Sequence, residues 1–275
     1  METSLFDHPA IQSGVAPFIC ALVVTGLFYR IRLLAGFAII AGFIISIMLS
    51  TGFAFEPLTS TRKITLIILL APLVAVFVTY YGQYSRTKLN VFYVLGSLAM
   101  LWVLWPVLSR NPAGMILPVA GYMAYAAWMT GIFFRLSETS SLSAGAASTA
   151  VGFGTGITAL IGASALLGQM GLSMGAAAAA YLLVQLISHR DDEAGFSVTL
   201  TSGFIAALLL PAAVVYAKVP WIVLPLIAIV PIFAFYPFED DDSIWKNTIT
   251  LIVVMAAPIV YAIYLTVQSA GEMIM

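Results

Sequence analysis

Five consecutive ionisable side chains, His189, Arg190, Asp191, Asp192 and Glu193, form the densest concentration of candidate ligands in the chain. Carboxylates beside an imidazole suit a divalent cation, although a short solvated connection between two oily helices has the same composition, and polar loops are the default. A second acidic run, Glu239, Asp240, Asp241 and Asp242, matches a calcium loop in composition only, because the spaced ligands and turn glycine of an EF-hand are missing. His8 and His189 are the only histidines and Cys20 is the only cysteine. No Ser-His-Asp set, thiol pair or glycine-rich phosphate loop ending in lysine can be assembled from this inventory. Nor do separated aspartates face each other on helices, as metal-bound pyrophosphate chemistry would need. The residues argue against an enzyme and call for no metal or cofactor.

The polar chemistry that remains lies inside apolar stretches and is uncharged. Thr155, Thr158 and Ser164 share one such stretch, Gln185 lies in the next, Thr199, Thr201 and Ser202 in the one after, and Tyr122, Tyr125 and Tyr261 lie elsewhere. Taken singly, these groups join helix to helix by hydrogen bonds. Taken as a set, they suit a path for a neutral or zwitterionic solute, with aromatic rings supplying apolar contact. The candidate solute-binding residues are Gly154, Thr155, Thr158, Gln185 and Tyr125.

The elements that must position them follow from composition. Of 275 residues 62% are hydrophobic and 8% charged, with a mean hydropathy of +1.06, whereas soluble domains carry roughly 25% charged residues. A net charge of −1 and a pI near 6.1, with no basic run longer than Arg62-Lys63, exclude a nucleic-acid surface. Apolar runs of membrane-crossing length lie at about 14–29, 33–55, 64–81, 91–108, 115–134, 147–167, 172–188, 198–216, 219–238 and 249–267. The fold expected is an all-α, polytopic integral membrane bundle of about ten transmembrane helices in one domain, 1–275. The break at Gly168 to Gly171 is read as a loop, a kink or a re-entrant turn, which leaves counts of eight or nine open.

Lysine, arginine, aspartate and glutamate fall in breaks or at span edges, as the cost of burying charge in hydrocarbon requires. Breaks after odd-numbered spans hold Arg30, Arg32, Arg86, Lys88, Arg135, Arg190 and Lys246; those after even-numbered spans hold Arg62, Lys63, Arg110 and Lys218. The positive-inside rule then places both termini outside the cytoplasm. Before Arg30 the chain has Glu2 and Asp7 but no lysine or arginine, so it lacks the basic start of a cleavable signal peptide and the first span is expected to be retained. A bacterial-type inner membrane is the expected setting. Prolines inside the runs, such as Pro17, Pro72, Pro118, Pro211, Pro225, Pro231 and Pro258, each free a backbone carbonyl that needs another partner.

Small residues dominate 143–181. Ser148, Gly152, Gly156, Ala159 and Ala163 recur at helical spacing and form a stripe that lets another backbone approach, so the sixth span is expected at the centre; Gly152, Gly154 and Gly156 would also let it unwind around a ligand. Ile68 is expected to face lipid. A faint repeat, Tyr125 to Thr130 against Tyr261 to Thr266, divides the chain into 1–138 and 139–275. Five spans per half would make the halves inverted, meeting around a mid-depth site. This architecture is similar to that of the drug and metabolite transporter superfamily. The likeness is one of span number and length alone, no motif carries it, and it transfers no functional residue. It adds a little weight to transport, and the lack of ionisable residues within the spans makes the expectation a transporter or facilitator of a small uncharged or zwitterionic solute in contact with the lipid bilayer. The alternative expectation is a non-catalytic subunit or assembly partner bound to another membrane protein.

Overall fold

The computed structural model describes residues 8–53, 56–80, 85–110, 112–189, 192–236 and 243–272. Almost all of them are helical, and the bundle is a polytopic membrane fold. The first crossing begins with a π-helical turn, Ile11–Val15, and continues as α1, Ala16–Phe28. A short α2, Arg32–Ala35, leads through a turn into α3, Phe37–Ser50. Five long helices follow: α4 Ser60–Tyr80, α5 Arg86–Leu108, α6 Pro112–Leu136, α7 Ser141–Ile161 and α8 Ala165–Ile187. Then come α9 Phe196–Tyr216, α10 Val223–Ile229 with a 3-10 segment Val230–Phe235, and α11 Ile244–Glu272. Among the described residues nine helical segments are long and apolar enough to cross a membrane.

The run around 219–238 is not one of the nine, because its helix covers only Val223–Phe235 and passes from α10 into the 3-10 segment at Val230, beside Pro231. It nevertheless traverses the bundle. Its start lies against the end of α7, where a Cβ on Gly162 would meet Ala217 O and Val219 Cγ2. Its end, Phe235 and Tyr236, shares a cavity with Ser140 and Ser143 at the start of α7. Ten crossings result, one of them an interrupted helix, and the first and last described helices have their free ends on the same face. The Gln12 amide donates to Leu49 O on that face (3.0 Å). Arg30, Arg86, Lys88, Arg135 and Lys246 belong to the opposite face, called the basic face below.

Helix α9 is the centre of the bundle, with 17 of its 21 residues buried, against 15 of 21 for α7 and 15 of 23 for α8. The small-residue stripe does face protein, but it joins α7 to α8. Ser148 and Ala159 are fully buried, and a Cβ on Gly152 would stand 2.6 Å from Gly175 Cα. Ala163 is a correction: it leaves the stripe, exposed, with φ of 70° in the turn between the two helices. The break falls at 162–164 and not at Gly168 to Gly171, because the Ser164 hydroxyl accepts from the Leu167 amide and starts α8 there (3.4 Å). Gly168 and Gly171 are then free to pack on Leu160 and Gly156. Ile68 is a second correction, being fully buried; the exposed positions of α4 include Leu70, Leu73 and Phe77.

Two carbonyls left without an N–H by a proline find side-chain donors. Pro106 cannot bond to Trp102 O, and the Lys63 amine takes that oxygen at 3.1 Å while lying 5.3 Å from the Trp102 ring centroid. Lys63 is thereby held at 8% exposure beside the membrane edge. In the 3-10 register Ala228 O would pair with residue 231, a proline, and the Trp128 indole donates to it instead (2.9 Å).

Candidate functional site

Helix α7 is unbroken through Gly152, Gly154 and Gly156, so these glycines act in packing and the helix does not unwind. A Cβ on Gly154 would touch Ile227 of α10 and Ile259 of α11. The Thr158 hydroxyl donates to Gly154 O at 2.8 Å and is satisfied within its own helix. Thr155 is different. It is fully buried, and its hydroxyl has no hydrogen-bond partner, a property shared with the hydroxyls of Tyr125 and Ser202. An unpaired buried hydroxyl costs about 1–3 kcal/mol, so these are the places in the interior that favour a bound polar group.

Helical rise places them in depth. Thr155 lies about 21 Å and the Tyr125 backbone about 17 Å from the basic-face ends of α7 and α6, whereas Ser202 lies about 9 Å in along α9. Gln185 is about 3 Å from the basic-face end of α8. By the same rise Gly154 lies about 20 Å and Thr158 about 26 Å from the basic-face end of α7, the latter close to the helix's other end, while Gln185 is at the basic face and Tyr125 is near mid-depth on α6.

Tyr125 also lines the largest described cavity at this depth, a groove of about 660 Å³ between α6 and α10. Its walls are Leu117, Pro118, Gly121, Tyr122, Tyr125 and Trp128 on one side and Trp221, Leu224, Pro225 and Ala228 on the other. They are predominantly apolar, and the highly exposed Leu117 and Trp221 mark its open side. A Cβ on Gly121 would meet nothing within 4 Å, so this glycine leaves the groove empty. The groove is bounded on the α10 side by the interrupted crossing, whose break is tied to α6 by the Trp128 bond.

Gly121, Trp128 and Trp221 were missed as site residues. A signal existed, since Pro118, Gly121, Tyr125 and Trp128 recur at three- and four-residue spacing on one face of α6, but a lone helix does not say which neighbour stands opposite. Arg190, Asp191 and the acidic run 239–242 lie outside the described residues. Asp192 and Glu193 are held, because the Ser141 amide donates to Asp192 O (2.7 Å) and the Ala194 amide to Thr139 O (2.8 Å). Among the described residues no three His, Cys, Asp or Glu side chains cluster as metal ligands.

Compared with known proteins, the chain matches no family model and no curated protein at a significant level.

Proposed function

We propose that the protein is a membrane carrier or facilitator for a small, uncharged and mostly apolar molecule that reaches the α6–α10 groove from the bilayer. The observation that carries this reading is the groove itself: about 660 Å³, apolar, open at Leu117 and Trp221 and lined by Tyr125, whose buried hydroxyl lacks a partner. Cavities of this size are in the range that takes small ligands, with few polar groups fixing orientation. The apolar wall favours the uncharged end of the solute range over a zwitterion, since desolvating a full charge there has no compensation. Tyr125, Trp128 and Trp221 contribute ring faces. No bond of the solute is made or broken in this reading, so no catalytic residue is required.

Gly121→Trp tests it, because a Cβ at this groove-lining position meets open space and a large ring there would compete for the groove. Wild-type and variant protein, purified in the same detergent, are extracted with organic solvent and the extracts compared by mass spectrometry. A molecule retained by wild type and missing from the variant supports the carrier. Identical extracts, together with a second chain purifying in fixed proportion, would replace it with the subunit role.

A further inference from the structure

A cavity of about 280 Å³ lies at the basic face, between the start of α7, the end of the 3-10 segment and the start of α11. At about 30 Å³ per water it has the room of roughly nine waters, which suits one small molecule or headgroup. Its walls mix apolar side chains such as Leu142, Phe235 and Leu251 with polar ones. Most of the polar groups are already engaged. The Ser140 hydroxyl accepts from the Leu142 and Ser143 amides, the Thr139 hydroxyl donates to Leu136 O, the Thr248 hydroxyl donates to Ile244 O, and Tyr236 also has a partner.

Two polar groups on the wall are not engaged. Ser143 is only 7% exposed, yet among the described residues its hydroxyl makes no hydrogen bond. The local fold explains why. A helical serine such as Ser148 donates to the carbonyl four residues back, here Ala144 O at 2.8 Å. For Ser143 that carbonyl is Thr139 O, which precedes the Ser140 cap of α7 and accepts from the Ala194 amide instead (2.8 Å). The Asn247 side-chain amide, on α11, likewise has no partner among the described residues. A hydroxyl and a carboxamide each offer both a donor and an acceptor. No charged side chain lines the cavity. Arg135 lies 5.4 Å from the Phe235 ring centroid, while the sequence joining the wall residues Tyr236 and Ile244 carries Glu239 to Asp242. Charges of both signs flank the site, so an ion of either sign meets repulsion as well as attraction.

We propose that this cavity binds one uncharged polyhydroxyl group of about hexose size. Ligand hydroxyls pair with Ser143 and Asn247, and the CH face of the ligand lies on Phe235 and Leu251, the pattern of apolar walls with few polar groups that small-ligand sites share. The same chemistry is presented by a glycolipid headgroup at the membrane edge and by a free sugar. The cavity shares no lining residue with the α6–α10 groove and is independent of what the groove carries.

The test uses the full chain in phosphatidylcholine nanodiscs, titrated with octyl glucoside below its micellar concentration and followed by saturation-transfer NMR. Octyl phosphocholine supplies the same tail with a charged headgroup. Saturable binding of octyl glucoside and none of octyl phosphocholine is expected. Displacement by glucose assigns the site to a free sugar, and resistance to glucose assigns it to a lipid headgroup; either result supports polyhydroxyl recognition. The Ser143→Ala/Asn247→Leu double variant should weaken binding by roughly tenfold or more, because it leaves ligand hydroxyls unpaired. Ser143→Ala alone should weaken binding without lowering the unfolding temperature, since the hydroxyl it removes has no partner in the protein. Gly121→Trp should bind as wild type does. Absence of saturable binding, equal binding of the two amphiphiles, full affinity in the double variant, loss of binding in Gly121→Trp or marked destabilisation by Ser143→Ala would each overturn the proposal. Ser143→Ala carries the test by itself if Asn247→Leu does not fold.

Discussion

Gly171 stands so close to Gly156 that a Cβ on Gly171 would lie 2.6 Å from both the Cα and the amide nitrogen of Gly156. No rotamer change relieves a clash between a Cβ and backbone, so this pair fixes how near α7 and α8 can come. Close approach is the main source of helix association in lipid, where apolar side chains gain little by leaving the hydrocarbon.

Gly156→Leu should therefore separate the two helices and destabilise the protein by about 1–3 kcal/mol or more. Gly26→Leu is the matched control, because a Cβ at Gly26 meets nothing within 4 Å. Thermal unfolding in a fixed detergent checks both. Equal tolerance would mean that the α7–α8 contact is looser than the structure shows.

Lys63→Met should leave Trp102 O without its donor, at a cost of about 1–3 kcal/mol. Pro106→Ala restores an N–H four residues after Trp102. The double variant should recover part of the loss, and a double-mutant cycle on unfolding free energies measures the coupling. Strict additivity would show that Lys63 acts on something other than that carbonyl.

Trp128→Phe keeps an aromatic ring in the groove but removes the donor to Ala228 O. Stability should fall by about 0.5–1.5 kcal/mol, the usual net value of one hydrogen bond. Amides of the 3-10 segment should exchange faster with deuterium while those of α9 keep their protection. Uniform loss of protection would place the effect in the whole bundle.

Topology is open to direct labelling, since Cys20 is the only native thiol and is replaceable by serine. Single cysteines at Lys88 and Lys246 should be protected from an impermeant reagent applied outside the cell, and a cysteine at Ser109 should be labelled. The opposite pattern would invert the protein in the membrane, with ten crossings still joining the two termini on one face.

Membrane class, the position of nearly every crossing and the small-residue face of α7 were legible in the sequence because they rest on local quantities. Apolar run length is set by bilayer thickness, and residue size repeats at the period of a helix. The same local view could not separate inward from outward positions on a helix of uniformly oily residues, which is why Ile68, fully buried on α4, reads like the exposed Leu70 two residues on. It also misplaced the α7–α8 turn, since glycines at 168 and 171 signal a break in water but close contact in lipid. Tyr125 and Thr155 stood out in the sequence as polar groups in apolar surroundings. Only tertiary structure decided that Thr158, one turn away, is satisfied within its own helix while their hydroxyls are not. The groove between α6 and α10 belongs wholly to that level, because it is made by residues far apart in the chain whose meeting depends on how the helices pack.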